Sequence, residues 1–238
     1  MTCQGKEFFM KRSEIQEAVN FARKLLSDKG FSLPMFADWS MNDWEKNCIK
    51  AGTIIKTMRG WDVTTFGHDD FGRMGAVLFT IRNGLPDGSC GCPYAEKLII
   101  MKEGQILPNH YHLQKTEDII NRSGGVLLIR VYNSLPDGSA DRSGDVKILS
   151  DGLEYCVPAG TDVEITPGNS MTIYPGLYHQ FTPKPGFGNL IIGEVSSIND
   201  DKTDNYFEVP RPRFIPVEED CPVTVPLCNE YERLFGPF

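Results

Sequence analysis

Long apolar runs are missing from this sequence of 238 residues. A membrane-spanning helix needs about 18 or more consecutive apolar residues, and no such stretch occurs. Residues 1–10 also lack the apolar core that defines a secretory signal. We therefore expect neither membrane insertion nor export, and we expect a cytoplasmic protein.

An excess of positive charge is missing as well. The chain has 24 Lys and Arg residues against 32 Asp and Glu residues, which gives a formal net charge of −8 at pH 7. Nucleic-acid binding depends on clustered basic side chains that neutralise phosphates. The composition therefore argues against a nucleic-acid partner and is compatible with a small neutral one.

The cysteines show no pattern that would indicate a disulfide framework or a zinc site. They are odd in number and irregular in spacing: Cys3, Cys48, Cys90, Cys92, Cys156, Cys221 and Cys228. Cys90 and Cys92 directly follow the turn sequence Pro86-Asp87-Gly88, and nothing nearby supplies two further zinc ligands. We expect reduced thiols, and we expect no metal site or redox pair at Cys90 and Cys92.

Two helices are predicted in the first part of the chain. Ser13 can cap the first, whose apolar residues recur at helical spacing, and Gly30 suits its end. The second is predicted over residues 41–51, with Ser40 or Asn42 as its cap. Its apolar side chains share one face: Trp44, Cys48 and Ile49.

From Met74 onward the pattern changes to short apolar runs, rich in β-branched residues and interrupted by Gly, Pro and Asp. Such spacing is typical of a β-sandwich or β-barrel. The predicted strands are residues 76–82, 97–102, 125–132, 145–149, 153–157, 162–165, 170–173, 178–183 and 190–195. We therefore expect a mainly-β fold with the helices packed outside it.

Two of the four histidines, His110 and His112, are separated by one residue. In an extended strand, residues i and i+2 point to the same face, so both imidazoles can reach one ion while Tyr111 points away. Glu117 has the wrong parity for the same straight strand. A bend after His112 would bring its carboxylate beside the two rings.

A third histidine, His179, follows the turn residues Pro175 and Gly176. At this point the sequence resembles the cupin superfamily, whose first motif is matched throughout by Gly104, His110, His112, Glu117 and Gly124. The second motif departs slightly, because six residues rather than five separate Gly168 from Pro175. The resemblance implies a cupin-type double-stranded β-barrel (jelly roll) with one divalent metal ion.

The predicted metal ligands are His110, His112, Glu117 and His179. Three imidazoles and one carboxylate suit Mn²⁺, Fe²⁺, Co²⁺, Ni²⁺ or Zn²⁺, and in an octahedral ion they leave two adjacent positions open. The alternative is that His110 and His112 are surface strand residues and His179 is a hydrogen-bonded turn residue. His68 lies outside both motifs, and we expect it in a loop without a role.

Four further segments are similar to the D-lyxose isomerases, a family of cupins: residues 94–97, 115–122, 175–179 and 193–201. The resemblance extends from the first helix to residues 228–231. It implies a homodimeric, Mn²⁺-dependent aldose–ketose isomerase. It also implies the substrates D-lyxose and D-xylulose, and often D-mannose and D-fructose.

Isomerisation requires that two adjacent sugar oxygens be held and that a proton move from C2 to C1 through an enediol. The metal is expected to bind O1 and O2. Glu194, at the end of an apolar run, is proposed as the base, with a structural role as the alternative. Lys115 is proposed as the acid or electrostatic partner. Lys97 and Arg213 are weaker candidates for holding distal hydroxyls, with solvated surface charges as the alternative.

Three other outcomes stay open at this stage. A cupin dioxygenase with Fe²⁺ or Ni²⁺ would use the same ligands, and a non-catalytic sugar-binding cupin would bind without turnover. Within the isomerase reading, a hydride shift would need no Glu base. The preferred sugar and the physiological metal are not determined by the motifs.

The chain is expected to form one domain in three segments. Residues 1–75 would supply helices and loops packed on the barrel, residues 76–198 the barrel core, and residues 199–238 an extended arm. This last segment is acidic and rich in proline, with aromatic residues near its end. It would wrap the barrel or form a dimer contact.

Overall fold

The computed structural model describes residues 9–201 and 203–236, which form two stacked β-sheets with helices on the outside of the larger one. The strands are β1 (Met10–Lys11), β2 (Gly60–Thr64), β3 (Ala76–Gly84), β4 (Gly91–Met101), β5 (Leu107–Tyr111), β6 (Glu117–Gly124), β7 (Leu127–Asn133), β8 (Asp145–Ser150), β9 (Leu153–Pro158), β10 (Asp162–Ile165), β11 (Ser170–Ile173), β12 (Leu177–Pro183), β13 (Leu190–Ser196), β14 (Tyr206–Phe207) and β15 (Val217–Glu218). The helices are α1 (Arg12–Asp28), α2 (Met41–Asn47), α3 (Gly52–Lys56) and α4 (Tyr231–Phe235), with a 3₁₀ turn at Met35–Asp38.

The larger sheet has the strand order β2-β3-β4-β13-β6-β11-β8-β9, and the smaller sheet has the order β10-β7-β12-β5-β14. Neighbouring strands in both are antiparallel. β1 and β15 form a separate parallel pair. The two large sheets form a jelly roll, which confirms the predicted mainly-β, cupin-type fold with N-terminal helices outside. In the described residues the two sheets stack face to face, and no continuous hydrogen bonding between strands joins them into one closed barrel.

Strand parity separates two hydrophobic cores. On β4, Ile99 and Met101 pack between the two sheets, whereas Leu98 and Ile100 pack on the opposite face beneath α1. Lys97 has the parity of Ile99 and Met101, so its side chain enters the space between the sheets. A long cation among these apolar neighbours is unusual, because Lys is almost never fully buried unless it is paired.

β13 repeats this pattern beside β4. Ile192 belongs to the core between the sheets, and Ile191 belongs to the core beneath α1. Glu194 has the parity of Ile192 and lies opposite Lys97 in the strand register. A carboxylate and an ammonium therefore enter the barrel side by side.

The first helix differs from the prediction at its start. α1 begins at Arg12, and Ser13 does not cap it: the Ser13 hydroxyl donates to Oδ2 of Asp220 at 2.6 Å. The prediction was wrong because the carboxylate that binds Ser13 comes from the C-terminal segment, which local pattern does not reveal. The end was predicted correctly, since Gly30 follows the helix with a left-handed φ of 75°.

The second predicted helix is two helices. Ser40 caps α2, and its hydroxyl oxygen accepts from the main-chain N–H of Asp43 at 3.2 Å. The chain then turns after Asn47 and starts α3 at Gly52. Ile49 is 89% exposed in this turn, so the predicted apolar face of residues 41–51 was wrong.

Several strands escaped the sequence pattern. β2 and β6 were not predicted, and β4 starts six residues earlier than expected at Lys97. Two of the buried residues of β6, Glu117 and Asn121, are polar, which hides its alternation. The missed β6 matters because Glu117 is its first residue.

The C-terminal segment is not only an extended arm. It includes the short strands β14 and β15 and ends in α4, whose Tyr231 is buried in the core beneath α1. That core contains residues from before position 75, from the barrel and from after position 198. We keep as a proposal that residues 1–75, 76–198 and 199–238 are parts of one domain, because they share this core.

Two smaller expectations can be compared with the structure. The described cysteines are free thiols, including Cys90 and Cys92, and Cys3 lies outside the described residues. Within the described part of the chain, no helix combines the length and the apolar character that crossing a bilayer requires.

Candidate active site

Three histidines meet on the inner face of the smaller sheet. His110 is on β5 and His179 is on the neighbouring β12, where the two residues are direct partners in the strand register. His112 follows the end of β5. All three side chains are buried, and their ring centroids lie 4.1 to 5.3 Å apart. The alternative of surface strand histidines is therefore excluded by burial.

Each imidazole is oriented by a main-chain carbonyl. Nδ1 of His110 lies 2.9 Å from the carbonyl oxygen of Pro108, and Nδ1 of His179 lies 3.0 Å from that of Leu177. Nδ1 of His112 contacts the carbonyl oxygen of Asp204. A carbonyl can only accept, so these contacts assign the proton to Nδ1 and leave the Nε2 lone pair free.

The free nitrogens fit a metal ion. One ring nitrogen from each of the three histidines lies within 4.8 Å of the others. Nε2 of His112 and Nε2 of His179 are buried and have no hydrogen-bond partner. Buried polar atoms without partners are rare, and a shared cation would satisfy them. This buried group could therefore bind a metal.

Glu117 completes the predicted donor set. Its Oε1 lies 3.1 Å from Nε2 of His179 and 3.7 Å from Nε2 of His112. The chain turns between His112 and Glu117, which solves the parity problem noted in the sequence. The other carboxylate oxygen, Oε2, lies 2.6 Å from Nζ of Lys115. Glu117 thus faces the histidines with one oxygen and a cation with the other.

Burial and charge act together on these groups. Burial, with smaller effects from His179 and His112, lowers the pKa of His110 well below its usual value. Burial and the Lys115 ammonium lower the pKa of His112. Burial alone would raise the pKa of Glu117, but the Lys115 ammonium holds it well below its usual value. Neutral imidazoles beside an ionised carboxylate are the protonation states that metal binding requires.

The predicted acid and base are in contact. Nζ of Lys115 lies 3.1 Å from Oε1 of Glu194, and both side chains are buried. Burial alone would lower the pKa of Lys115, but Glu117 and Glu194 raise it, so the amine stays protonated. Both residues line the same cavity as His110 and Glu117.

Lys97 and Arg213 lie in the same cavity wall. Lys97 is 2% exposed, and its Nζ lies 3.0 Å from Oδ1 of Asn199 and 3.6 Å from Oε1 of Glu194. The Arg213 side chain is 11% exposed. The alternative that both are solvated surface charges was wrong, since each is paired inside the protein.

The sequence did not reveal the partners of Arg213. Nη1 lies 2.6 Å from Oδ2 of Asp62, and Nη2 lies 3.2 Å from Oδ2 of Asp201. Burial alone would raise the pKa of Asp201, but Arg213, Lys97 and Lys115 lower it. Asp62 is on β2, which was not predicted as a strand, so no sequence signal pointed to it.

One segment after β13 closes this wall. We call it the strap: residues 199–213, of which residue 202 is outside the described residues. It supplies Asn199 and Asp201 beside Lys97, and Phe207, whose ring centroid is 5.4 Å from that of His110. β14 within the strap pairs with β5, which places Phe207 opposite His110 in the register. Segment 193–201 was noted for its family resemblance, which was the only sequence signal for Asn199 and Asp201.

His68 and the turn before His179 agree with expectation. Nδ1 of His68 accepts from the main-chain N–H of Asp70 at 3.0 Å in a loop, and His68 is not part of the three-histidine group. Gly176 has a left-handed φ of 81°, and its N–H donates to the carbonyl oxygen of His112 at 2.8 Å. The altered spacing of the second motif therefore does not displace His179.

Comparison with known proteins shows the family of this chain. The family model described as D-lyxose isomerase matches residues 10–231. A D-lyxose/D-mannose isomerase of Escherichia coli O157:H7 is 38% identical over 229 residues, covering 94% of this chain and 99% of the relative. Another D-lyxose/D-mannose isomerase, from Serratia proteamaculans, is 39% identical over 230 residues, covering 95% and 100%.

Solved structures share the fold at low sequence identity. L-ribose isomerase of Cellulomonas parahominis, solved with L-psicose, has a TM-score of 0.55 at 15% identity and covers 90% of this chain and 100% of that one. L-ribose isomerase of Acinetobacter sp. DL28, solved with L-ribose, has a TM-score of 0.55 at 16% identity and covers 89% and 99%. At this identity the likeness concerns the fold alone.

Proposed function

The chain belongs to the D-lyxose isomerase family and is a sugar isomerase, and on this premise we propose that it is a metal-dependent enzyme that interconverts D-lyxose and D-xylulose. We extend the proposal to D-mannose and D-fructose. Both relatives carry the printed name D-lyxose/D-mannose isomerase, which supports the pair of substrates.

One observation carries the proposal. The buried imidazole nitrogens of His112 and His179 have no hydrogen-bond partner and face Glu117. Glu117 lines one cavity together with His110 and the buried Lys115–Glu194 pair. Moving a carbonyl between C1 and C2 requires electrophilic stabilisation of the oxygens together with a proton carrier. The cavity offers groups suited to each task.

The residues that would hold the ion are His110, His112 and His179 through Nε2, and Glu117 through its carboxylate. A divalent cation there would supply Lewis-acid stabilisation of charge on two adjacent sugar oxygens. We propose Mn²⁺ as the ion; Co²⁺, Ni²⁺, Fe²⁺ and Zn²⁺ suit the same three nitrogens and one oxygen.

Glu194 is proposed as the base that removes the proton from C2 and returns it at C1. Its carboxylate enters the barrel from β13 and borders the cavity. Lys115, held protonated between Glu117 and Glu194, is proposed as the acid or electrostatic partner of the enediol oxygens. Its raised pKa favours stabilisation of negative charge.

Lys97 and Arg213 are proposed to contact the distal hydroxyls of the sugar. Both border the cavity. Lys97 pairs with Glu194 and Arg213 pairs with Asp201, and each still has N–H groups that can donate to a sugar. Arg has five N–H donors and Lys has three, so pairing does not exhaust either.

Two further expectations remain proposals. We propose a homodimer, as the family resemblance implies, and a cytoplasmic location. Size-exclusion chromatography with light scattering would test the first, and cell fractionation would test the second.

The first test of function uses protein treated with EDTA. We expect D-lyxose to yield D-xylulose only after Mn²⁺ is added back, because the buried nitrogens would lose their cation. A Glu117→Ala variant is assayed in parallel and is expected to lose activity, since one oxygen donor and the partner of Lys115 disappear together.

The outcomes separate the alternatives. If Mn²⁺ binds stoichiometrically but neither D-lyxose nor D-mannose turns over, the isomerase proposal fails and the metal site survives. Oxygen uptake would then indicate a cupin dioxygenase, whereas sugar binding without oxygen uptake would indicate a non-catalytic sugar-binding cupin.

A further inference from the structure

A single strap residue, Asp204, contacts both functional parts of the site. Its carbonyl oxygen accepts the hydrogen bond from Nδ1 of His112. Its carboxylate accepts from three consecutive main-chain N–H groups: Leu113 at 2.8 Å, Gln114 at 3.3 Å and Lys115 at 3.0 Å. Asp204 is itself buried. These residues form the turn between His112 and Glu117.

The carbonyl contact fixes the tautomer and ring orientation of His112. His110 and His179 obtain the same contact from carbonyls two residues earlier in their own strands. His112 lies past the end of β5 and obtains it from a different part of the chain. Its orientation therefore depends on where the strap lies.

The carboxylate contacts fix the turn that carries Lys115. Asp204 Oδ2 accepts from the Lys115 amide, and the Lys115 side chain extends from there to Glu117 and Glu194. The next residue is held separately, because the Ser197 N–H donates to the Thr116 carbonyl oxygen at 3.0 Å. Without Asp204, three adjacent N–H groups of the turn would lose their acceptor, and that of Lys115 would lose it in a buried place.

We propose that Asp204 is a positioning residue that aligns His112 for metal binding and Lys115 for proton transfer. The inference rests on the metal site of the proposed function. Partners of metal ligands commonly change metal affinity about 10- to 100-fold when they are lost. Asp204 is unusual in holding a proposed ligand and a proposed acid with two different groups of the same residue.

Two substitutions of Asp204 remove its carboxylate acceptors to different extents. Asp204→Ala removes every side-chain acceptor, whereas Asp204→Asn keeps one oxygen and places an NH₂ group toward an N–H of the turn. The matched control is Asp141→Ala, because Asp141 Oδ1 also accepts from two main-chain N–H groups, Ser143 at 2.9 Å and Gly144 at 3.1 Å, in an exposed turn.

The first readout is Mn²⁺ affinity, measured by calorimetry on EDTA-treated protein. Both variants keep the main-chain carbonyl that contacts His112 but weaken the carboxylate contacts that hold the strap against the turn, so the carbonyl should shift away from the ring. We therefore expect the dissociation constant to rise about 10- to 100-fold in Asp204→Ala and less in Asp204→Asn. The second readout is the visible absorption spectrum of Co²⁺-loaded protein, which should change with the angle of His112. The third is kcat at saturating Mn²⁺, which should still fall by up to about 10²-fold because Lys115 is displaced.

A purely structural role predicts something different. It would lower the melting temperature in Asp204→Ala and Asp141→Ala and leave Mn²⁺ affinity and the Co²⁺ spectrum unchanged in both. That result overturns the proposal. If Asp204→Ala does not fold, the same comparison is made with Asp204→Asn, for which an affinity within twofold of the wild type overturns it.

A different result would refute the proposed function. A wild-type protein that binds Mn²⁺ without turning over sugar refutes the isomerase proposal. The Asp204 inference is then decided by Mn²⁺ affinity and the Co²⁺ spectrum alone.

Discussion

Two groups of side chains at and around the cavity, the imidazole wall and the charged wall, differ in how their polar atoms are paired. The imidazole wall consists of His110, His112 and His179, whose Nδ1 atoms contact carbonyls and whose inward nitrogens include two buried atoms without partners. The charged wall alternates in sign from Glu117 to Asp62: Glu117, Lys115, Glu194, Lys97, Asp201, Arg213 and Asp62.

The two walls differ in whether their polar groups already have partners within the chain. Every charge of the charged wall has an opposite charge from the same chain within 4 Å. The imidazole wall is neutral and leaves buried lone pairs unmatched, so a cation would satisfy it. Glu117 belongs to both walls, because each of its oxygens faces one of them. The two walls should therefore differ in their effects on activity, on stability and on the response to pH.

The largest effect is expected for Glu194→Gln, which alters only the charged wall. If Glu194 is the base, kcat should fall about 10²- to 10⁴-fold, the usual contribution of a positioned base. Metal content should stay at the wild-type level because the imidazole wall is intact. Steady-state kinetics and metal analysis check both parts.

The same variant distinguishes the two mechanisms that the sequence left open. Proton transfer through Glu194 should place deuterium from D₂O in the sugar product at C1 or C2, as detected by NMR. Wild-type product without deuterium, together with a fully active Glu194→Gln variant, would instead point to a hydride shift.

The next effect concerns stability. Arg213→Met leaves Asp62 and Asp201 as buried carboxylates without their shared cation, so the free energy of unfolding should fall by about 3–5 kcal/mol. The matched control is Arg130→Met, since Arg130 pairs with Asp162 at 2.7 Å with both side chains about 40% exposed.

For the control we expect a loss of at most about 1 kcal/mol, because solvent screens an exposed pair. Urea unfolding of both variants, without sugar, measures the two values. Equal losses would mean that Arg213 contributes no more than a surface pair and would remove the distinction between the charged wall and the protein surface.

The smallest effect separates the walls by pH in metal-free protein. Burial lowers the pKa of His110 and of His112 below 6.5, so the unfolded chain takes up protons that the folded chain resists. The stability they contribute is therefore present above pH 6.5 and is lost as pH falls below it. Each imidazole adds a slope of about 1.4 kcal/mol per pH unit.

The charged wall should respond only at lower pH. The pKa of Asp201 is held below 3.8 by Arg213 and Lys97 despite burial, so its contribution is present above pH 3.8 and is lost as pH falls through the lower folded value. Thermal melts of EDTA-treated protein between pH 8 and pH 3 should therefore show two stages. A His110→Phe variant should weaken the first stage only; a single loss below pH 4 would contradict the assignment.

The imidazole wall was predictable from sequence, and the reason is local. His110 and His112 share one face of a strand because they are two residues apart, and motif spacing identified Glu117 and His179. Glu194 was found from its place at the end of an apolar run. These inferences used strand parity and short spacing, which the fold preserves.

The charged wall was only partly predictable, because its pairs join distant segments. Arg213 gave no sign of burial, since its partners Asp62 and Asp201 come from β2 and from the strap. Asp204 also gave no local signal, because its carboxylate oxygens accept hydrogen bonds from a turn about ninety residues earlier in the chain. Local patterns miss such contacts, and for the same reason they misassigned Ser13 as a helix cap.

The position of the strap in the chain has a consequence for biosynthesis. Translation produces all four proposed metal donors before residue 180, whereas Asn199, Asp201, Asp204 and Arg213 follow β13. A nascent chain thus acquires its ion-binding groups first and the residues that close the cavity last. Until the strap is made, Lys97 and Lys115 have only Glu117 and Glu194 of the charged wall as carboxylate partners.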